Sequence, residues 1–182
     1  NAGQEASVVV DENTELPEAN AGIAMTLTCE FPELTLQGSG SNGPEFEYQW
    51  TGPGIVSGGD TPTPVIDQPG TYDLLVTNLT NSCTATSSVT IDQDIQAPVA
   101  DAGTTAELSC TLTSLTLDGS GSSSGPQYAY LWNTVNGNIL SGEDTPAPTI
   151  NAPGTYTLVV TNLNNGCTSE SEVVITEDDD LP

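Results

Sequence analysis

The sequence predicts an all-β chain built as two tandem sandwich domains, and three observations carry that prediction. A segment of about eighty residues occurs twice, from Asn20 to about Ile91 and from Asp101 to about Ile175. Each copy holds two cysteines in matching places, at an offset of 81 between Cys29 and Cys110 and of 84 between Cys83 and Cys167. Short apolar runs recur roughly every ten residues between Gly, Pro, Asn and Ser clusters, with almost no helical periodicity.

The repeats align element by element. Ala21-Gly22 matches Ala102-Gly103, and Leu34 to Gly40 matches Leu115 to Gly121. Trp50 matches Trp132, and Pro69-Gly70-Thr71-Tyr72 matches Pro153-Gly154-Thr155-Tyr156. Strands are expected at Met25–Leu27, Glu33–Leu36, Thr71–Val76 and Val89–Ile91. Their counterparts are Glu107–Cys110, Ser114–Asp118, Gly154–Val160 and Glu172–Ile175, joined by Tyr128–Trp132 and Thr149–Ile150. Trp50 and Trp132 are read as core anchors rather than ligand platforms. Tyr72 and Tyr156 open the penultimate strand, where a buried ring with a bonded hydroxyl locks a sandwich corner. The expected division is 1–17 strand and linker, 18–92 repeat 1, 93–99 linker, 100–176 repeat 2 and 177–182 acidic junction.

Composition excludes several functions. The chain has no Lys, Arg or His against 25 Asp plus Glu, a net charge of −25. Nucleic acid is therefore excluded as a partner, and anionic membrane surfaces are unattractive, since both are held mainly by Lys and Arg. A neutral-pH general base is missing, serines have no His or Lys to activate them, and no carboxylate stands in a distinctive apolar setting. No enzymatic activity is expected. Apolar residues make up only 35 %, which with this charge would suggest disorder; the regular strand runs argue otherwise. Domains this small need a covalent staple. The expected disulfides are Cys29–Cys83 and Cys110–Cys167, each closing more than fifty residues and worth roughly 4 kcal/mol in the chain-entropy model. No C-x-x-C or histidine cluster supports a zinc alternative. Disulfides imply an extracellular setting. No run approaches the ~18 apolar residues of a membrane helix.

The quoted motifs carry a resemblance. Ala19-Asn20-Ala21-Gly22 and Ala100-Asp101-Ala102-Gly103, the Leu-x-Gly-Ser-Gly-Ser runs at 36–41 and 117–122, Tyr48-Gln49-Trp50 and Tyr130-Leu131-Trp132, and Pro-Gly-Thr-Tyr at 69–72 and 153–156 are involved. Together they resemble the PKD-like and immunoglobulin-like tandem repeats of large secreted bacterial surface adhesins and extracellular fibres. The Asp-Phe-Gly-Asp-Gly turn usual after the Trp of a PKD repeat is absent; Thr51-Gly52-Pro53-Gly54 and Asn133 to Asn136 stand there. The resemblance implies two immunoglobulin-like sandwiches serving as stalk, adhesin array or fibre subunit, with no catalytic residues to carry over.

The junctions repeat as well. Val10, Ile91 and Ile175 each end a strand-like run, and a proline follows seven residues later at Pro17, Pro98 and Pro182. Ser7–Val10 has the phase of a final sandwich strand. It is either the tail of an upstream repeat or, by a slight preference, a free strand donated to another subunit's sheet edge. Asp11, Asn13, Asn20, Asp92, Asp94, Asp101, Asp178 and Asp180 are candidate calcium ligands, since Ca²⁺ takes several oxygen donors at flexible spacing. An acidic, Pro-stiffened linker is the competing account. Thr61, Thr63 and Thr145 in Pro-rich loops, and Asn78 in Asn78-Leu79-Thr80, are candidate glycan acceptors. The function expected is a structural repeat of a bacterial extracellular fibre or cell-surface stalk, joined end to end with copies of itself. The alternative is a carbohydrate- or surface-binding adhesin module.

Overall fold

The computed structural model describes residues 13–178. The expected donor strand Ser7–Val10, Asp11 and Asp180 lie outside the described residues. Every regular element among the described residues is a β-strand. The chain divides into two compact units. Unit 1 runs to Leu27 and from Phe31 to Gln93; unit 2 takes Thr28–Glu30 together with the chain from Asp94 onward.

The first repeat contains β1 (Ala19–Asn20), β2 (Thr26–Thr28), β3 (Leu34–Thr35), β4 (Ser39–Gly40), β5 (Phe46–Thr51), β6 (Ile55–Ser57), β7 (Val65–Ile66), β8 (Gly70–Asn78) and β9 (Thr84–Asp94). They form a four-stranded sheet in the order β2-β9-β8-β5, a three-stranded sheet β3-β7-β6, and the small pair β1-β4. The second repeat contains β10 (Ala106–Leu108), β11 (Leu115–Thr116), β12 (Tyr128–Val135), β13 (Ile139–Ser141), β14 (Thr149–Ile150), β15 (Gly154–Asn162) and β16 (Thr168–Glu177). Their sheets are β10-β16-β15-β12 and β11-β14-β13, the same two layers.

Period-two alternation explains the packing. Along β8, Tyr72, Leu74 and Val76 are buried while Thr71 and Asp73 face solvent; along β15, Tyr156, Leu158 and Val160 are buried. Leu27, Leu36, Trp50, Ile66, Val89 and Ile91 complete the first core. Leu108, Leu117, Trp132, Ile150, Val173 and Ile175 complete the second. Each indole is buried and donates its Nε1–H to a loop carbonyl, Trp50 to Thr61 and Trp132 to Thr145, both at 2.9 Å. The tyrosine corners form as expected: Tyr72 donates to the Gln68 carbonyl at 2.5 Å and Tyr156 to the Ala152 carbonyl at 2.7 Å. Both hydroxyls tie a fully buried ring to the backbone four residues upstream.

The expected disulfide pairing is corrected. The bond joins Cys29 to Cys167, with Cα atoms 5.0 Å apart, while Cys83 and Cys110 are free thiols. Neither intra-repeat bond exists, and strand direction gives the reason. β10 runs parallel to β16, with Leu108 beside Glu177. Cys110 therefore lies past the C-terminal end of β16, and Cys167 immediately before its first residue. The ten residues of β16 hold them apart by about 30 Å at ~3.3 Å per residue. A disulfide tolerates a Cα separation of only about 4.4–6.8 Å. β2 lies next to β9, with the Asp92 N–H on the Met25 carbonyl at 3.0 Å near the C-terminal end of β9, whereas Cys83 precedes the first residue of β9.

Candidate functional site

Two features recur at matching positions and lie outside the cores: a polar clamp on each junction, and the cysteine positions beside it.

The clamp is built on the turn before the last strand of each repeat. In unit 1 the Asn78 N–H donates to the Cys83 carbonyl at 2.8 Å and the Ser82 N–H to the Asn78 carbonyl at 2.7 Å. In unit 2 Asn162, Gly166 and Cys167 make the same two bonds, each at 2.8 Å. Inside the turn, Asn81 accepts the Cys83 N–H on Oδ1 at 2.9 Å, and Asn165 accepts the Cys167 N–H at 3.0 Å. The amide nitrogens then reach the junctions. Asn81 Nδ2 donates to Asn13 Oδ1 at 3.1 Å and to the Glu15 carbonyl at 3.0 Å. Asn165 Nδ2 donates to Asp94 Oδ1 at 2.8 Å and to the Gln96 carbonyl at 3.1 Å. One asparagine thus bonds its own turn and holds the incoming linker. Sequence reasoning missed this role, although Asn81-Ser82-Cys83 and Asn165-Gly166-Cys167 stand at matching places as a visible signal.

Four of the candidate calcium ligands, Asn13, Asn20, Asp94 and Asp101, accept hydrogens from the protein itself. Asn13 Oδ1 also accepts the Glu15 N–H at 3.2 Å, and Asp94 Oδ1 the Gln96 N–H at 3.3 Å. Asn20 Oδ1 and Asp101 Oδ1 close local turns on the Gly22 and Gly103 N–H groups, both at 2.9 Å. Asp92 is an exposed residue of β9, and Asp178 bonds the Leu108 carbonyl through its backbone N–H at 2.8 Å. Among the described residues, no three His, Cys, Asp or Glu side chains converge to hold a metal.

The glycan candidates differ from one another. Thr61, Thr63 and Thr145 are exposed, though Thr61 and Thr145 spend their hydroxyl hydrogens on the Gly58 and Gly142 carbonyls at 2.8 Å. Asn78 is 7 % exposed, and its Oδ1 accepts both the N–H and the O–H of Thr80.

Among the described residues, two ionisable groups are perturbed. Burial, reinforced by the nearby Asp67 charge, raises the Tyr72 phenol above its ordinary value. The Ser120 hydroxyl and N–H lower the Asp118 carboxyl by stabilising its anion. Both shifts are structural, since neither group lines a converging set of catalytic side chains.

At the cysteines, Thr28–Glu30 packs in unit 2. The Glu30 N–H donates to the Asn165 carbonyl at 3.2 Å beside the Cys29–Cys167 bond. Gly166 is required there. Its φ is +70°, and a Cβ on it would come within 2.6 Å of the Glu30 Cβ.

No known family model matches the chain, and no curated protein matches it. Solved structures do show likenesses. A PKD domain from the KIAA 1837 protein is 27 % identical, covering 46 % of this chain and 90 % of its own, with a TM-score of 0.35. An I-band fragment of titin is 11 % identical over 91 % of this chain and 66 % of its own, at 0.44. The DIP-gamma IG1+IG2 structure is 13 % identical over 91 % and 99 %, at 0.42.

Proposed function

We propose that this chain is a structural repeat of an extracellular fibre or cell-surface stalk, composed of PKD-like or immunoglobulin-like sandwiches and joined end to end with copies of itself. The observation that carries this reading is the repetition of joint hardware. The same asparagine clamp holds the linker entering each repeat, and the sulfur bridge spans 138 residues, from the first repeat's sequence to the second's. Such devices fix how chain segments meet and do nothing to a substrate. The uniform negative charge keeps a long exposed assembly soluble, and a chain without Lys or Arg offers trypsin-like proteases no cleavage site. The adhesin alternative loses its best platform, since Trp50 and Trp132 are 4 % and 2 % exposed and hydrogen-bonded inside.

Calcium at the acidic joints would stiffen them by cancelling repulsion between neighbouring carboxylates. The reading as a whole is tested by electron microscopy and sedimentation of the purified protein. Regular filaments with an axial repeat of two domains support it. Monomeric particles at every concentration and redox state would remove it.

A further inference from the structure

We propose that Cys110 of one copy forms a disulfide with Cys83 of the next, repeating between molecules the bond that Cys29 and Cys167 make within one. This rests on the end-to-end reading above and adds the residues that would seal it.

Repeat equivalence supplies the template. Cys29 and Cys110 occupy one position, directly after β2 and, one residue further on, past β10; Cys83 and Cys167 occupy the other, immediately before β9 and β16. The bond that forms takes the first position from repeat 1 and the second from repeat 2. What is left over is a first-position thiol in repeat 2 and a second-position thiol in repeat 1. Within the chain these two are not bonded to each other, so a neighbouring copy is where they would complete the same pattern.

Exposure gives an independent indication. With Thr28–Glu30 packed in unit 2, Asn165 and Cys167 are 1 % and 2 % exposed and Gly166 is half-buried. The matching surface in unit 1 is open: Asn81 and Cys83 are half-buried and Ser82 is exposed. Its backbone already has the receiving shape, for Ser82 holds a left-handed φ of 59° where Gly166 has 70°. The missing cover corresponds to Ser109–Thr111 of another copy, which carries the exposed Cys110. Cys110 is exposed and Cys83 half-buried where Cys167 is buried, so the link between copies is the more easily reduced.

The chemistry is thiol–disulfide exchange with a small disulfide oxidant such as oxidised glutathione. The Cys110 thiolate attacks one glutathione sulfur and expels a glutathione thiolate. The Cys83 thiolate of the next copy attacks Cys110 Sγ and expels the second. The two cysteine protons end on the two glutathiones released, so one disulfide is reduced as one forms.

The test mixes ¹⁴N- and ¹⁵N-labelled full-length protein, oxidises it with oxidised glutathione, cleaves it after acidic residues and reads the cross-links by mass. Mixed-isotope Cys110–Cys83 peptides are expected, alongside same-isotope Cys29–Cys167. Mild reduction should remove the former first. Combining the Cys110→Ser and Cys83→Ser variants should give disulfide dimers and nothing longer. Free or glutathione-capped Cys110 and Cys83, homotypic pairs, or bonds within one chain would overturn the proposal. Sedimentation of the oxidised protein, with its cross-links read by mass, separates the two ideas. Filaments with both thiols uncrosslinked leave the fibre reading standing and this link refuted, whereas monomers throughout refute both.

Discussion

Asn165 donates an amide hydrogen to Asp94 Oδ1 at 2.8 Å while sitting 1 % exposed beside the bonded Cys167. The clamp is therefore a buried amide gripping a carboxylate that starts the linker, and every polar atom of that amide has a partner. Replacing it with Ala leaves the Cys167 N–H and the Gln96 carbonyl without their partner. Asn165→Ala is expected to destabilise unit 2 by about 2–3 kcal/mol, read by urea denaturation. Asn165→Asp sets a second carboxylate against Asp94, so its loss should grow as pH rises above the ordinary carboxylate range.

Tyr72→Phe removes the bond to the Gln68 carbonyl without opening a cavity, and should cost about 1 kcal/mol. The hydroxyl also sets an alkaline limit. Folded Tyr72 holds its proton more tightly than the unfolded chain does. Its contribution is complete below the ordinary value of 10.0 and is lost as pH climbs above that toward the raised folded value. Alkaline melts of wild type and Tyr72→Phe should differ in that window and run parallel below it.

Asp118 works in the opposite direction. Its carboxyl is lowered by the Ser120 bonds, so the stabilisation is present above the ordinary value of 3.8 and disappears as pH falls through the lowered one. Carboxyl NMR titration should place Asp118 below the ordinary aspartate value, and Ser120→Ala should return it part of the way, since the backbone N–H bond remains.

A chain with 25 acidic side chains and no basic ones repels itself. Raising NaCl from low to ~0.5 M should lift the melting temperature on the order of 5 °C by screening. Calcium and magnesium should give equal shifts at matched ionic strength if screening is the whole effect. A larger, saturable calcium shift, abolished by chelator, would assign the joints as a calcium site.

Gly166→Ala should destabilise by about 1–3 kcal/mol, from its left-handed φ and the approach of Glu30. The same change should slow closure of Cys29–Cys167, followed by thiol alkylation during refolding.

The strands and both cores are legible in the sequence because local alternation sets them. Tyr72, Leu74 and Val76 read as one face, and Tyr156, Leu158 and Val160 repeat it. The sulfur pairing is not legible. Duplication reveals which cysteines are alike, whereas proximity depends on β10 lying parallel to β16, and a strand's direction relative to its neighbour leaves no periodic mark. The clamp escaped for a related reason. Asn165 meets Asp94 across 71 residues, and an asparagine in a turn carries no local sign of a distant partner.

The Cys29–Cys167 bond has a mechanical consequence. It closes a covalent ring over residues 29–167, so a pull on the two termini travels through the sulfurs and bypasses everything inside the ring. Only the 28 residues before Cys29 and the 15 after Cys167 can lengthen. At ~3.5 Å per residue the oxidised chain has a contour of about 150 Å, against about 640 Å once the bridge is cut. β5, β8, β12 and β15 lie on the unloaded side. A force that peels β16 away would draw Val173 and Ile175 out of the second core but leave β3 to β9 unloaded, and a reductant would act as the switch that makes the molecule extensible.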